Sequence, residues 1–174
     1  MAHPVLQTDR LVLRPPVRDD FAAHLAMWSD PEVCRFISGR PLAEEDSWAR
    51  LMRLAGHWAL AGYGFWSLFE KASGLRVGEA GFLDLRRDMV PRLDETPEIG
   101  WGLVRAAQGK GYAGEAVAAA LAWGEARFGK VRFSCIIDPD NGPSLRVAAR
   151  AGFREALRTT YKDKPIVVLY RDPS

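Results

Sequence analysis

A chain of 174 residues is long enough for one domain with a real hydrophobic core and too short for two comfortable ones. Apolar residues make up 48% and charged residues 26%, an ordinary balance for a globular protein that excludes a disordered chain. A formal charge of +2 supplies no strong pull toward nucleic acid or an anionic membrane, so neither is expected as a partner.

The first strand is expected at 11–13, closed by Pro15-Pro16. Asp19-Asp20 then precede Phe21, Leu25 and Trp28, spaced as one face of a short helix. Ser29-Asp30-Pro31 starts a second helix with proline at its first position. A longer helical pattern spans 43–60 and ends at Gly62 and Gly64. Strands are expected at 65–69 and 77–85, separated by the turn at Ser73-Gly74. A charged segment, 86–98, leads into a fourth strand at 99–104. A glycine-rich turn at 108–111 opens a helix over 112–128. The apolar run 131–137 reads as a central strand covered on both faces. Asn141-Gly142-Pro143 starts another helix, stopped by Gly152, and two strands near 155–161 and 166–170 form a closing hairpin. The order is a mixed α/β layer architecture without regular alternation, expected as a single domain over 1–174 with a core of 8–171.

The two cysteines, Cys34 and Cys135, cannot make a disulfide framework, and with His3, His24 and His57 they show no metal-ligand spacing. No metal is expected. No stretch has the length of a membrane span, and residues 1–10 lack the apolar centre of a signal peptide, so a reducing cytoplasmic setting is expected.

The most informative stretch is Gln108-Gly109-Lys110-Gly111-Tyr112-Ala113-Gly114, which joins a strand to a helix start. Backbone N–H groups there lack helical partners, the helix dipole favours negative charge, and glycines let the backbone approach closely. These properties suit a pyrophosphate, although a simple chain-reversing turn has the same composition. A P-loop fails, because Glu115-Ala116 follow Gly114 where lysine and a hydroxyl are required. Gly109, Gly111 and Gly114 match a dinucleotide fingerprint, with Asp138 near the next strand's end. Too little chain follows Asp138, however, for the rest of a doubly wound sheet. A nicotinamide-dependent oxidoreductase is therefore the second reading.

Gln108-x-x-Gly111-x-Ala113 resembles the acyl-CoA pyrophosphate motif of the GNAT N-acetyltransferase superfamily. The likeness extends to residues 8–14 with Asp19-Asp20, and to Asn141-x-x-Ser144-x-x-Val147 ending in Gly152-Phe153. Ser29-Asp30-Pro31-Glu32-Val33 and Glu98-Ile99-Gly100-Trp101 resemble the branch of ribosomal-protein N-terminal acetyltransferases. The elements occur in family order over residues 8–170. The resemblance implies a mostly antiparallel mixed sheet of about six to seven strands, flanked by helices and splayed between the fourth and fifth strands. It implies acetyl-CoA as cofactor, with the pantetheine arm along the backbone of Leu103 and Val104. The pyrophosphate would lie on Gln108, Gly109, Lys110, Gly111, Tyr112, Ala113 and Gly114. Asn141 would reach the pantetheine amide, as well as serving as a helix cap, and Arg146 and Lys110 would approach phosphate or simply be solvated.

The implied reaction is acetyl transfer to a primary amine by direct attack in a ternary complex, in a monomer or homodimer. The acceptor is a small molecule or a peptide. Many family members place a tyrosine acid in the second motif, where Ala148 stands here; Ser144 is the substitute that the resemblance suggests, against a purely local role in the first helical turn. The departure also leaves open a non-catalytic acyl-CoA-binding module. Glu98 is the candidate base through a water, against a surface ion pair with Arg92 or Arg105. An α-amine with pKa of roughly 7.7–8.0 makes a smaller demand on such a base than a lysine amine at about 10.4. Asp84, Asp88, Asp94, Glu95 and Glu98 could attract a cationic acceptor, but interspersed arginines favour a mixed solvated loop. Trp28, Trp48, Trp58, Trp66 and Trp101 are expected mostly in the core.

Overall fold

The computed structural model describes residues 3–173. Its strands are β1 (Leu6–Gln7), β2 (Leu11–Arg14), β3 (Phe65–Glu70), β4 (Arg76–Leu83), β5 (Glu98–Leu103), β6 (Phe133–Ile137), β7 (Arg154–Tyr161) and β8 (Lys164–Arg171). Its helices are α1 (Phe21–Trp28), α2 (Pro31–Cys34), α3 (Glu44–Ala61), α4 (Tyr112–Phe128) and α5 (Gly142–Arg150). Short caps set several of these ends. Asp30 accepts the Glu32 N–H ahead of Pro31, Asn141 accepts the Ser144 N–H, and Gly152 leaves α5 with φ of 87°. Among the described residues no helix is long and apolar enough to cross a membrane.

All eight strands form one sheet in the order β1-β2-β3-β4-β5-β6-β8-β7. The two-residue β1, too short to carry an alternating pattern, adds one strand to the expected number. Every neighbouring pair is antiparallel except β5 and β6, which run parallel and meet only at Glu98 opposite Ser134. Beyond that pair the sheet opens into a cleft. This mixed, mostly antiparallel sheet is the expected architecture, and it excludes the doubly wound parallel sheet of the oxidoreductase reading. The strand expected over 77–85 ends at Leu83, because the Asp84 N–H turns out to donate to His57 Nε2 at 2.8 Å.

One face of the sheet is covered by α4 through Ala116, Val117, Ala120 and Leu121, which pack on Ala80, Phe82 and Ile99. The other face takes α1 and α3, with Leu54, Phe65 and Leu83 in a smaller cluster, while Met89 and Leu93 of the 84–97 segment seat on Ile166 and Val168. Trp28, Trp58 and Trp66 are buried as expected; Trp48 is 36% exposed and lies outside the core. The α4 face holds an aromatic cluster in which Phe82 stands 5.4 Å from Phe133 and Trp66 stands 5.1 Å from Trp123. Gly124 is part of its fit, since a Cβ there would lie 2.6 Å from Phe82 Cζ. Gly124→Ala should therefore destabilise by about 1–3 kcal/mol through overpacking, despite the gain of about 1 kcal/mol in helix propensity. The urea midpoint measures the outcome.

Candidate active site

The alternation of an antiparallel ladder decides which groups of β5 are free. Val104 donates to Val77 O at 3.0 Å and its carbonyl accepts from Ala107 at 2.9 Å. Both of its backbone groups thus have partners inside the fold. On the register of Gly78 opposite Leu103, the N–H and C=O of Trp101 and Leu103 point away from β4, toward the opening beside β6. The face that Trp101 presents depends on pairing register. Gln108 folds back, its side-chain amide donating to Leu103 O at 3.3 Å.

At the end of that strand the loop runs into α4. The N–H groups of Gly109, Lys110, Gly111, Tyr112, Ala113 and Gly114 make no well-formed hydrogen bond among the described residues. Gly109 and Gly111 hold φ of 75° and 83°, and a Cβ on Gly109 or Gly114 would meet nothing within 4 Å. Open space, free donors and the positive end of a 17-residue helix coincide here. The loop is buttressed from the turn between β1 and β2. Arg10 donates to Glu115 Oε2 at 2.7 Å and to Lys110 O at 2.9 Å, and stacks 4.6 Å from the Tyr112 ring centre. Thr8 donates to Glu115 at 2.5 Å, and the Tyr112 hydroxyl donates to Glu70. These partners lie 42 to 107 residues apart in sequence, so no local signal marks them. The Lys110 and Arg146 side chains are exposed, and beside them a groove of about 270 Å³ runs between α4 and α5, lined by Gly114, Ala118, Val147 and Arg150.

At the start of β5, where the strands still touch, stands Glu98. Its oxygens accept from Arg87 Nε at 2.8 Å and Nη2 at 2.7 Å, and it is buried. An ion pair was anticipated, but with other partners: Arg92 pairs with Asp94, and Arg105 with Asp30. Asp84 pairs with Arg86, so arginines match Asp84, Asp94 and Glu98 of the charged segment. Thr96 donates to the buried Ser134 hydroxyl at 2.8 Å, and Ser134 N–H donates to Pro97 O, locking the point of divergence. Asn141 spends its carbonyl on Ser144 N–H at 3.2 Å, which leaves its amide NH₂ as a donor. Ser144 is half-buried, with no hydrogen bond from its hydroxyl among the described residues. Ala148 is fully buried in the main core.

Behind the cleft, on the α1 and α3 side, lies a charged cluster that looked like ordinary polar residues in the sequence. Glu79 accepts from Arg50 at 2.5 Å and Arg76 at 2.9 Å, with His24 Nδ1 at 3.4 Å. Burial alone would raise the Glu79 pKa; the Arg50 charge, the His24 contact and Arg76 overrule it and hold the carboxyl well below its ordinary 4.5. A folded-state pKa below the unfolded value contributes stability that is complete above 4.5 and is lost as pH falls toward the folded value. Urea midpoints measured downward from pH 5 should therefore fall, and the fall should be shallower in Glu79→Gln.

Residues 10–154 match the model of the acetyltransferase (GNAT) domain. A structure from Bordetella pertussis assigned to the GNAT-family acetyltransferases superposes with a TM-score of 0.86 at 37% identity, covering 97% of this chain and 99% of that one. The uncharacterized N-acetyltransferase p20 of Bacillus licheniformis is 28% identical over 90% of this chain and 86% of its own length. RimL, described as a ribosomal L7/L12 alpha-N-protein acetyltransferase and solved with coenzyme A, shares the fold with a TM-score of 0.78 at 17% identity over 98% of each chain. With a sheet that opens between β5 and β6 and a glycine loop of free amides at its edge, the chain belongs to the GNAT family and is an acyltransferase.

Proposed function

We propose that the protein transfers an acetyl group from acetyl-CoA to a primary amine, by direct attack in a ternary complex, with the N-terminal α-amine of a peptide or protein as acceptor. One observation carries the reading. The cleft-facing backbone of Trp101 and Leu103 links the amide-rich loop at one end of β5 to Glu98 at the other.

Acetyl-CoA supplies an activated thioester. The residues fit it, since the loop from Gly109 to Gly114 offers unpaired N–H groups and open space for a pyrophosphate. Trp101, Leu103 and the Asn141 amide offer donors along the cleft for an extended amide-bearing arm. Lys110 and Arg146 add positive charge at the rim. Glu98 takes up the amine proton through a water, because each oxygen retains a lone pair beyond its Arg87 bond. The Ser144 hydroxyl, in the first turn of α5 after Asn141, protonates the departing sulfur. The preference for an α-amine rests on the small demand it makes on one ion-paired carboxylate, and on the fold shared with RimL.

The test is a thiol-release assay with purified protein and a panel of peptides with free or blocked N-termini, lysine derivatives, polyamines and aminoglycosides. Release should require a free α-amine. Binding of acetyl-CoA without release against any amine would leave only a binding module.

A further inference from the structure

The glycine loop ahead of α4 has little of its own to hold it in shape. Gly109 and Gly111 take positive φ, and the N–H groups from Gly109 to Gly114 lack well-formed partners among the described residues. Such a segment samples many conformations unless distant parts of the chain fix it. Two turns at that end of the sheet, residues 8–10 and 70–74, supply the fixing. Arg10 Nη1 donates to Lys110 O at 2.9 Å, inside the loop itself. The same guanidinium stacks 4.6 Å from the Tyr112 ring centre, and its Nη2 lies 3.4 Å from where a Gly111 Cβ would stand.

The same contacts resolve an electrostatic conflict. Glu115 lies in the first turn of α4, its N–H donating to Gly111 O at 3.2 Å, where an unpaired negative charge would oppose a bound phosphate. Its carboxylate is fully engaged. Oε1 accepts from Thr8 Oγ1 at 2.5 Å and from the Arg10 N–H at 2.9 Å, and Oε2 accepts from Arg10 Nε at 2.7 Å. Burial alone would raise the Glu115 pKa, but the Thr8 and Arg10 hydrogen bonds hold it below the ordinary carboxylate value. Glu115 is therefore ionised at neutral pH, and the Arg10 charge 2.6 Å away offsets it. Lys71 anchors the first turn, its N–H donating to Arg10 O at 2.8 Å and its Nζ to Thr8 O at 2.5 Å. Glu70, another acid beside the loop, accepts from the hydroxyls of Tyr112 and Ser73.

We propose that Arg10 is a positioning residue for the cofactor phosphates, which holds the loop with its amides open and neutralises Glu115 without touching the pyrophosphate itself. This rests on the reading above, in which acetyl-CoA binds at the loop. Nε, Nη1 and Nη2 of Arg10 each have a partner in Glu115 or Lys110 O, so its part is to preorganise donors rather than to add one. Loss of Arg10 has two consequences. The loop loses its tie, and a paired acid becomes an unpaired one in the wall of an anion site.

Arg10→Ala should raise KM for acetyl-CoA about tenfold, the size of one charge-assisted hydrogen bond, and leave kcat within about twofold. Acetyl-pantetheine, the same thioester arm without the nucleotide phosphates, separates this role from general damage to the fold. Its kcat/KM should fall by no more than about twofold in the same variant. Arg10→Lys, which keeps the charge but not the fork, should recover part of the lost KM. Adding Glu115→Gln to Arg10→Ala should also recover part of it, because the unpaired acid is gone. Calorimetric Kd values for coenzyme A across these variants should follow KM and need no acceptor. Equal wild-type kcat/KM for the two donors would remove the loop as the phosphate site, and the proposal with it. A wild-type preference for acetyl-CoA that survives Arg10→Ala, an equal loss with both donors, or an unchanged coenzyme A Kd overturns the role of Arg10 alone.

Discussion

Glu98→Gln should lower kcat by about 10²–10⁴-fold near pH 6, with a deficit that shrinks toward pH 9 as the acceptor amine deprotonates unaided. The pH profile matters because Glu98 has a second role. Its two hydrogen bonds to Arg87 fasten the charged segment to the start of β5, and a glutamine retains only one acceptor for that fork while adding a competing donor. Loss of the fastening alone would lower kcat by the same factor at every pH. Loss of a proton acceptor gives a deficit that depends on how much of the amine is already neutral. Ser144→Ala should cost less at every pH, since a thiolate with pKa near 8.5 leaves without much help. Steady-state rates from pH 6 to 9 with a confirmed acceptor distinguish these outcomes, and a flat deficit for Glu98→Gln would remove Glu98 as the base.

Gly114→Asp should abolish the stabilisation that acetyl-CoA gives against heat, about 2.7 kcal/mol at a ligand concentration of a hundred times Kd. The position makes a clean test. Its φ is ordinary and a Cβ there meets no atom within 4 Å, so the substitution strains nothing in the free protein. An aspartate in the first turn of α4 also suits the helix dipole, so the free variant should unfold at or slightly above the wild-type temperature. Only a bound anion would meet the new carboxylate. Gly111→Asp should also lose the ligand shift, but less informatively. Its φ of 83° strains a side chain, and the Cβ would lie 3.4 Å from Arg10 Nη2, disturbing the buttress. A melting shift that survives Gly114→Asp would place the phosphates elsewhere, with the α4–α5 groove at Val147 and Arg150 as the next location to probe.

Much of the fold was legible because its signals are local. Proline after Asp30 and Gly142, glycine at 111 and 152, and the largely apolar run 65–69 act within a few residues, and the structure places caps, turns and strands where those signals fall. The phosphate loop was readable for the same reason. A strand end, glycines and a helix start are consecutive in the chain, so their joint chemistry can be inferred without knowing what packs around them.

Register and long-range pairing were not legible, and they decide most of the remaining site. Whether Leu103 or Val104 faces the cleft turns on one residue of offset against β4, which flips every backbone group to the other side. Glu98 was visible as a carboxylate at a strand start, but its partner came from the fold of the intervening loop, which selects Arg87 over Arg92. The Arg10–Glu115 buttress joins the β1–β2 turn to the start of α4, and Glu79 became a buried ion cluster only when α1 and α3 closed over β4. By itself the sequence determined the elements, the anion-binding loop and the class of chemistry, because these depend on contiguous residues. Tertiary structure alone decided which amides are free and which carboxylates are paired, because each depends on groups brought together from distant parts of the chain.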